Sequence, residues 1–113
     1  MRVTSALWVG AYIRRCFAQG AMVSVLRHGV DEAGAILIVV DRLDGTVDLY
    51  GPAPQSAFTE TRPSDRLFLP LIEKAPREAV QKRIDSEFRF DPDLWIVEVE
   101  DKQGRAFLDL AGF

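Results

Sequence analysis

The chain has one histidine, His28, and one cysteine, Cys16. That excludes multi-histidine metal centres, cysteine-rich zinc sites and an internal disulfide. A Cys16–His28 nucleophile and base would need an exposed thiol of lowered pKa. Cys16 instead shares helical spacing with the apolar Ala6, Val9, Ile13 and Phe17, so it reads as a small buried hydrophobe. His28, between Arg27 and Gly29, reads as exposed at a strand end. Glu100-Asp101-Lys102 matches the E-x-K half of a metal-dependent nuclease motif, with Asp93 upstream as a second carboxylate. Two carboxylates could hold Mg²⁺ while a lysine steadied the attacked phosphate. These residues sit where a strand runs into a Gln103-Gly104 turn, however, and a solvated hairpin end is the simpler reading. Gly29, Gly34, Gly45 and Gly51 are spaced as turns, not as a phosphate loop. No catalytic residue, metal ligand or cofactor is assigned.

Charge is segregated along the chain. Residues 1–30 hold Arg2, Arg14, Arg15 and Arg27 and no acid, whereas 85–101 hold Asp85, Glu87, Asp91, Asp93, Glu98, Glu100 and Asp101 against Arg89 alone. Such polarity can steer or fix an interface, and Arg14 and Arg15 could pair with Asp91 or Asp93 within one subunit or across a two-fold axis. The plainer alternative is two solvated faces with ordinary surface ion pairs, each worth little. Arginine makes up 11 of the 14 basic residues, which suits phosphate contacts. Against nucleic acid stand a pI near 5.1, a net charge of −3 and the lack of a recognisable nucleic-acid-binding motif. Among the aromatics, Trp8 and Tyr12 lie on the flank of the first helix, away from a Val9–Ile13–Phe17 row, and are expected to be partly exposed. With Trp95 they are interface or ligand candidates, although core packing is the default for such residues.

These side chains need elements to hold them. At 113 residues, 48% hydrophobic and 27% charged, the chain is globular by composition and reads as a single domain over 1–113. Its longest stretch without a charged residue is too short to span a bilayer, and Arg14-Arg15 interrupts the apolar run that a signal peptide would need. A cytoplasmic protein is expected. Residues 5–19 read as a helix with Ser5 as N-cap and Gly20 just past its end. Strands follow at Met22–Arg27, Ala35–Val40 and Thr46–Tyr50, the second an unbroken apolar run of the kind buried on both faces. Asp44-Gly45 predicts a tight primed hairpin turn. Gly51-Pro52-Ala53-Pro54 ends this meander, and Gln55–Asp65 reads as the longest loop. Arg66–Ile72 is a strand that Pro70 confines to an edge. A second helix starts at Pro76 and runs to about Phe88, with Val80, Ile84 and Phe88 on one side. Leu94–Asp101 and Arg105–Leu110 then read as a hairpin around Gly104. The fold class is α+β: a largely antiparallel sheet of five to six strands, with two helices, one on each face.

Several strings carry a resemblance: Trp8-Val9, Ala11-Tyr12 with Arg14-Arg15-Cys16, Gly51-Pro52-Ala53-Pro54, and Phe90-Asp91-Pro92-Asp93-Leu94-Trp95-Ile96-Val97-Glu98-Val99-Glu100-Asp101 with Gly104-Arg105 and Phe107-Leu108. Together they resemble domain-of-unknown-function family 1491, small alphaproteobacterial proteins of about this length. The resemblance covers essentially the whole chain. It implies a bacterial, cytoplasmic, stand-alone domain and carries over no activity.

Two functions are expected from these features. The first is a non-catalytic protein-interaction module, homodimeric, docking a protein partner through a contiguous surface of Trp8, Tyr12, Arg14, Arg15, Asp91 and Asp93. The alternative is a small enzyme or ligand-binding domain in which Arg14 and Arg15 clamp an anionic metabolite in a concave pocket.

Overall fold

The computed structural model describes residues 3–54 and 66–112; the Gln55–Asp65 loop expected from the sequence lies outside them. Helix α1 spans Ser5–Ala18. Its N-cap is Thr4, whose hydroxyl accepts the Leu7 N–H at 3.2 Å. Ser5, expected in that role, lies within the helix, fully buried, and donates to Gly34 O at 2.6 Å. Gly20 ends the helix with φ +85°, where a side chain would be strained. The remaining elements are β1 (Met22–Arg27), β2 (Ile36–Asp41), β3 (Val47–Pro52), β4 (Phe68–Ala75), α2 (Arg77–Phe90) and β5 (Trp95–Glu100).

The strands form one sheet in the order β1-β5-β2-β3-β4. Only β2 and β5 run parallel; the other three contacts are antiparallel. The fold is therefore α+β with a largely antiparallel sheet, as expected. Alternation along β2 explains its unbroken apolar run. Ile36, Ile38 and Val40 join Val97 and Val99 beneath Val9, Tyr12 and Cys16 of α1. Leu37 and Val39 join Leu49 and Ile96 against Val80 and Ile84 of α2. Each face thus has its helix.

Three expectations are corrected. The first three strands are not a meander, because β5 is inserted between β1 and β2. The His28–Ala35 connection has to pass over the start of β5, and it does so closely. Val30 N donates to Asp93 O at 3.1 Å, and a Cβ on Gly29 or Gly34 would come within 2.4 or 2.5 Å of the same oxygen. Secondly, residues 105–110 form no second hairpin strand. Gly104 and Phe107 have positive φ, and the segment instead turns under α1, where Tyr12 Oη donates to Ala106 O at 2.6 Å. Thirdly, the β2–β3 turn is wider than a two-residue primed turn. Arg42 N donates to Thr46 O, and Leu43 and Gly45, not Asp44, have positive φ.

Candidate functional site

On α1 the buried stripe is Ser5, Val9, Tyr12 and Cys16, one step around the helix from the row expected. Tyr12 is 0% exposed, while Phe17 is 50% exposed. Tyr12 is therefore core, not a partly exposed flank residue. Burial, then the neighbouring Cys16, pushes its hydroxyl pKa well above the ordinary value. Trp8 is half-buried, stacked on Tyr12 at 5.0 Å and tilted against Phe68 at 5.3 Å. Arg15 donates to Phe107 O at 2.8 Å. Arg14 is exposed and forms no ion pair among the described residues.

The acidic turn lies elsewhere. Asp91 accepts the Asp93 N–H at 3.1 Å in a local turn, and Arg27 donates to Pro92 O at 3.0 Å. Trp95 is 3% exposed; its indole donates to Val30 O, and His28 lies on its ring at 4.0 Å. Asp93 sits near the first turn of α1, through Gly34. Arg14 and Arg15 come nine and ten residues after Ser5, about 14–15 Å along the helix axis. The six-residue surface expected from the sequence is not assembled.

The catalytic constellations also come apart. Cys16 is fully buried, and burial raises its thiol pKa, while His28 lies past the far end of β1, bonded to Asp31 at 2.7 Å. Asp93 and Glu100 flank opposite ends of β5. The Asp101 carboxylate is occupied by the Arg105 main-chain N–H at 2.8 Å and by its guanidinium at 2.8 and 3.1 Å. One carboxylate cluster does form, from Asp41, Glu98 and Glu100 on adjacent β2 and β5. Arg77 at the start of α2 already bridges two of them, at 3.1 Å to Asp41 and 2.9 Å to Glu98.

The feature that sequence reasoning missed is the contrast between the two sheet edges. Strand β4 is blunted in the ways edge strands commonly are: Pro70 lacks a donor, its pairing with β3 is irregular, and Phe68 bonds to both Asp109 O and Ala111 N. Strand β1 is bare. Five of its six residues are exposed, with Met22 at 62%, Val25 at 41% and Leu26 at 54%.

The direction of its backbone groups follows from β5. Trp95 N donates to Ala35 O, just before β2, and Asp101 N to Asp41 O of β2, so odd residues of β5 bond towards β2 and even ones towards β1. Glu98 and Glu100 are the partners of Ser24 and Met22. Val23 and Val25 therefore turn their N–H and C=O groups outward. Above this edge hangs one flank of α1. Trp8 and Arg15 face Phe68 and the chain end, so at 100° per residue the opposite flank, Ala6, Gly10, Ile13 and Phe17, faces β1.

Comparison with known proteins agrees with the resemblance seen in the sequence. A protein of unknown function, DUF1491, is the family model that matches, over residues 3–109. The solution structure of protein Atu0922 from A. tumefaciens is 36% identical, covering 100% of this chain and 98% of that one, with a TM-score of 0.85. A DUF1491 family protein from Caulobacter crescentus CB15 is similar in its crystal structure, with 34% identity, 96% and 94% coverage and a TM-score of 0.77. An NMR structure of a DUF1491 family protein from the same organism gives 35% identity, the same coverage and a TM-score of 0.75. No curated protein matches. No helix among the described residues is long and apolar enough to cross a membrane. With a family model spanning nearly its whole length and relatives above a third identical sharing its fold, this chain belongs to the DUF1491 family.

Proposed function

We propose that this protein is a non-catalytic interaction module whose binding surface is the open edge of β1 with the flank of α1 above it. One observation carries the reading: β4 is capped, whereas β1 leaves the Val23 and Val25 backbone groups and several apolar side chains uncovered. A partner entering as an extended strand would complete that ladder and cover the side chains beside it. The interaction class is the one the sequence led us to expect, but the surface is different: Asp91 and Asp93 are not part of it, and Arg14 borders it only where its guanidinium lies against Gly10. The alternative, an arginine clamp for an anionic metabolite, finds less support. Among the described residues, a hollow of about 300 Å³ beside Gly20, Met22, Leu43, residues 100–103 and Arg105 contains neither Arg14 nor Arg15. A single buried thiol suits work in a reducing cytoplasm.

The test is affinity capture from an alphaproteobacterial lysate with wild-type and Val25→Pro baits. Edge strands accept proline, and the N–H that this change removes faces outward. A partner should be captured by the wild type and lost with Val25→Pro, yet retained by Arg15→Glu, which lies on the opposite flank of α1. Equal capture by wild-type and Val25→Pro baits would refute the reading.

A further inference from the structure

We infer that the strand taken up by β1 is β1 of a second copy, in a two-fold dimer whose axis passes beside Ser24. The inference rests on the interaction reading above and names its occupant. Val23 and Val25 are placed symmetrically about Ser24, and both present their backbone groups outward. An antiparallel copy centred on Ser24 brings Val23 opposite the second copy's Val25, each such pair exchanging both main-chain hydrogen bonds. Ser24 then faces Ser24. No charged side chain lies opposite a like charge, and two five-stranded sheets become one continuous sheet. The pairing ends where β1 bulges between Val25 and Arg27. Beyond that point Arg27 is committed to its own subunit, over the Phe88 ring at 4.1 Å and on Pro92 O.

The second contact is between helices. Val23 and Val25 stand on the α1 face, opposite Val99 and Val97 of β5. The two-fold axis therefore sets the Ala6–Gly10–Ile13–Phe17 flank against its own copy. Ser24 lies about 13 Å along β1 from the Gly20 turn at roughly 3.3 Å per residue. At 1.5 Å per residue, the same distance back along α1 reaches the neighbourhood of Gly10. The smallest side chain thus falls near the axis. A mid-helix glycine is destabilising relative to alanine, and nothing within the subunit requires one here. A Cβ at Gly10 would meet only the Arg14 guanidinium, at 3.7 Å. The flank residues Ala6, Gly10, Ile13 and Phe17 and the edge residues Val23 and Val25 are uncharged and fit an identical apolar face; the exposed Arg14 guanidinium, which lies against Gly10, must swing out to solvent when the two helices meet. That face is one helix long, about 21 Å, and one helix plus one strand wide, on the order of 500 Å² per protomer. The total of roughly 1,000 Å² reaches the lower limit for a specific interface, which points to a weak dimer.

Sedimentation equilibrium of the full chain, from about 2 to about 500 µM, tests this with wild type, Gly10→Leu and Val25→Pro. Wild type should dimerise with a dissociation constant of tens of micromolar, and each variant should weaken it at least about tenfold. Gly10→Leu should leave the thermal midpoint unchanged or raised, since leucine is the better helix former, so loss of the dimer could not be ascribed to misfolding. Wild type that stays monomeric throughout overturns the inference. If Val25→Pro still abolishes partner capture in that case, the edge belongs to another chain and the interaction reading stands. A dimer that both variants retain overturns the inference and places self-association on another surface.

Discussion

Replacing Asp48 by alanine should be among the most damaging single changes in this protein. Asp48 is 0% exposed, and its carboxylate joins two strands and a turn. Oδ2 accepts from Arg42 Nε at 2.8 Å and lies 2.8 Å from a terminal nitrogen of the same guanidinium. Oδ1 accepts the Lys74 main-chain N–H at 2.7 Å, where β4 turns through φ +51°. Alanine strands a largely buried guanidinium and a main-chain donor together. Breaking a buried pair on one side costs about 3–5 kcal/mol. The Arg42 side chain keeps 20% exposure, which favours the lower end, and the orphaned amide adds about 1–3 kcal/mol. A total near 4 kcal/mol follows, or a fall of about 16 °C in the melting temperature at roughly 4 °C per kcal/mol. Asp48→Asn keeps an acceptor for Lys74 and should lose less. Removing both partners, in Arg42→Met/Asp48→Leu, should recover part of the loss. Urea unfolding followed by circular dichroism at pH 7 measures all three. A loss below about 1 kcal/mol for Asp48→Ala would refute the reasoning, since the carboxylate would then not be holding these groups.

Cys16 should resist a thiol reagent such as DTNB in the native protein, because it is fully buried with a raised pKa. Its labelling rate should track unfolding by urea, and rapid native labelling would contradict its placement. The hydrogen bonds from the Arg105 side chain, then its main-chain N–H, hold the Asp101 carboxyl below its ordinary value. A depressed carboxylate pKa stabilises the fold fully above the unfolded value of about 4 and less as pH falls through the folded one. The urea midpoint of Asp101→Asn should therefore fall less than that of wild type on acidification from about pH 5 to pH 2. Gly34→Ala should destabilise by about 1–3 kcal/mol or more, because its Cβ would come within 2.5 Å of the Asp93 carbonyl and 2.9 Å of the Val30 carbonyl. A neutral melting temperature would show that the loop is free to move aside.

What the sequence made legible was local. The apolar run of β2, the donor-less Pro70 at an edge and the Val80–Ile84–Phe88 row of α2 each follow from side-chain periodicity or from proline's missing N–H. What it concealed was long-range. The insertion of β5 between β1 and β2 depends on contacts some 70 residues apart, and it is this insertion that makes β1 an edge. Tyr12 looked exposable because it lies off the Val9–Ile13–Phe17 row of α1; what buries it is packing that includes Ala106, 94 residues away, whose carbonyl takes its hydroxyl. The Arg105–Leu110 strand failed for a related reason: Gly104 and Phe107 take positive φ, and the segment leaves β5, passes under α1 and meets the sheet again only at Phe68 of β4. The candidate surface was missed because Val23 and Val25 look like any strand residues until their ladder partners are known.

The measurement that bears most directly on the open edge is amide hydrogen exchange by NMR along β1, in dilute protein and again at high concentration. In dilute solution the Met22 and Ser24 amides, bonded to β5, should be protected, while Val23 and Val25 should exchange as freely as solvent-facing groups. At high concentration Val23 and Val25 should gain protection as the second strand docks. Val23 and Val25 already protected in dilute solution, or Ser24 exchanging freely beside them, would contradict the account.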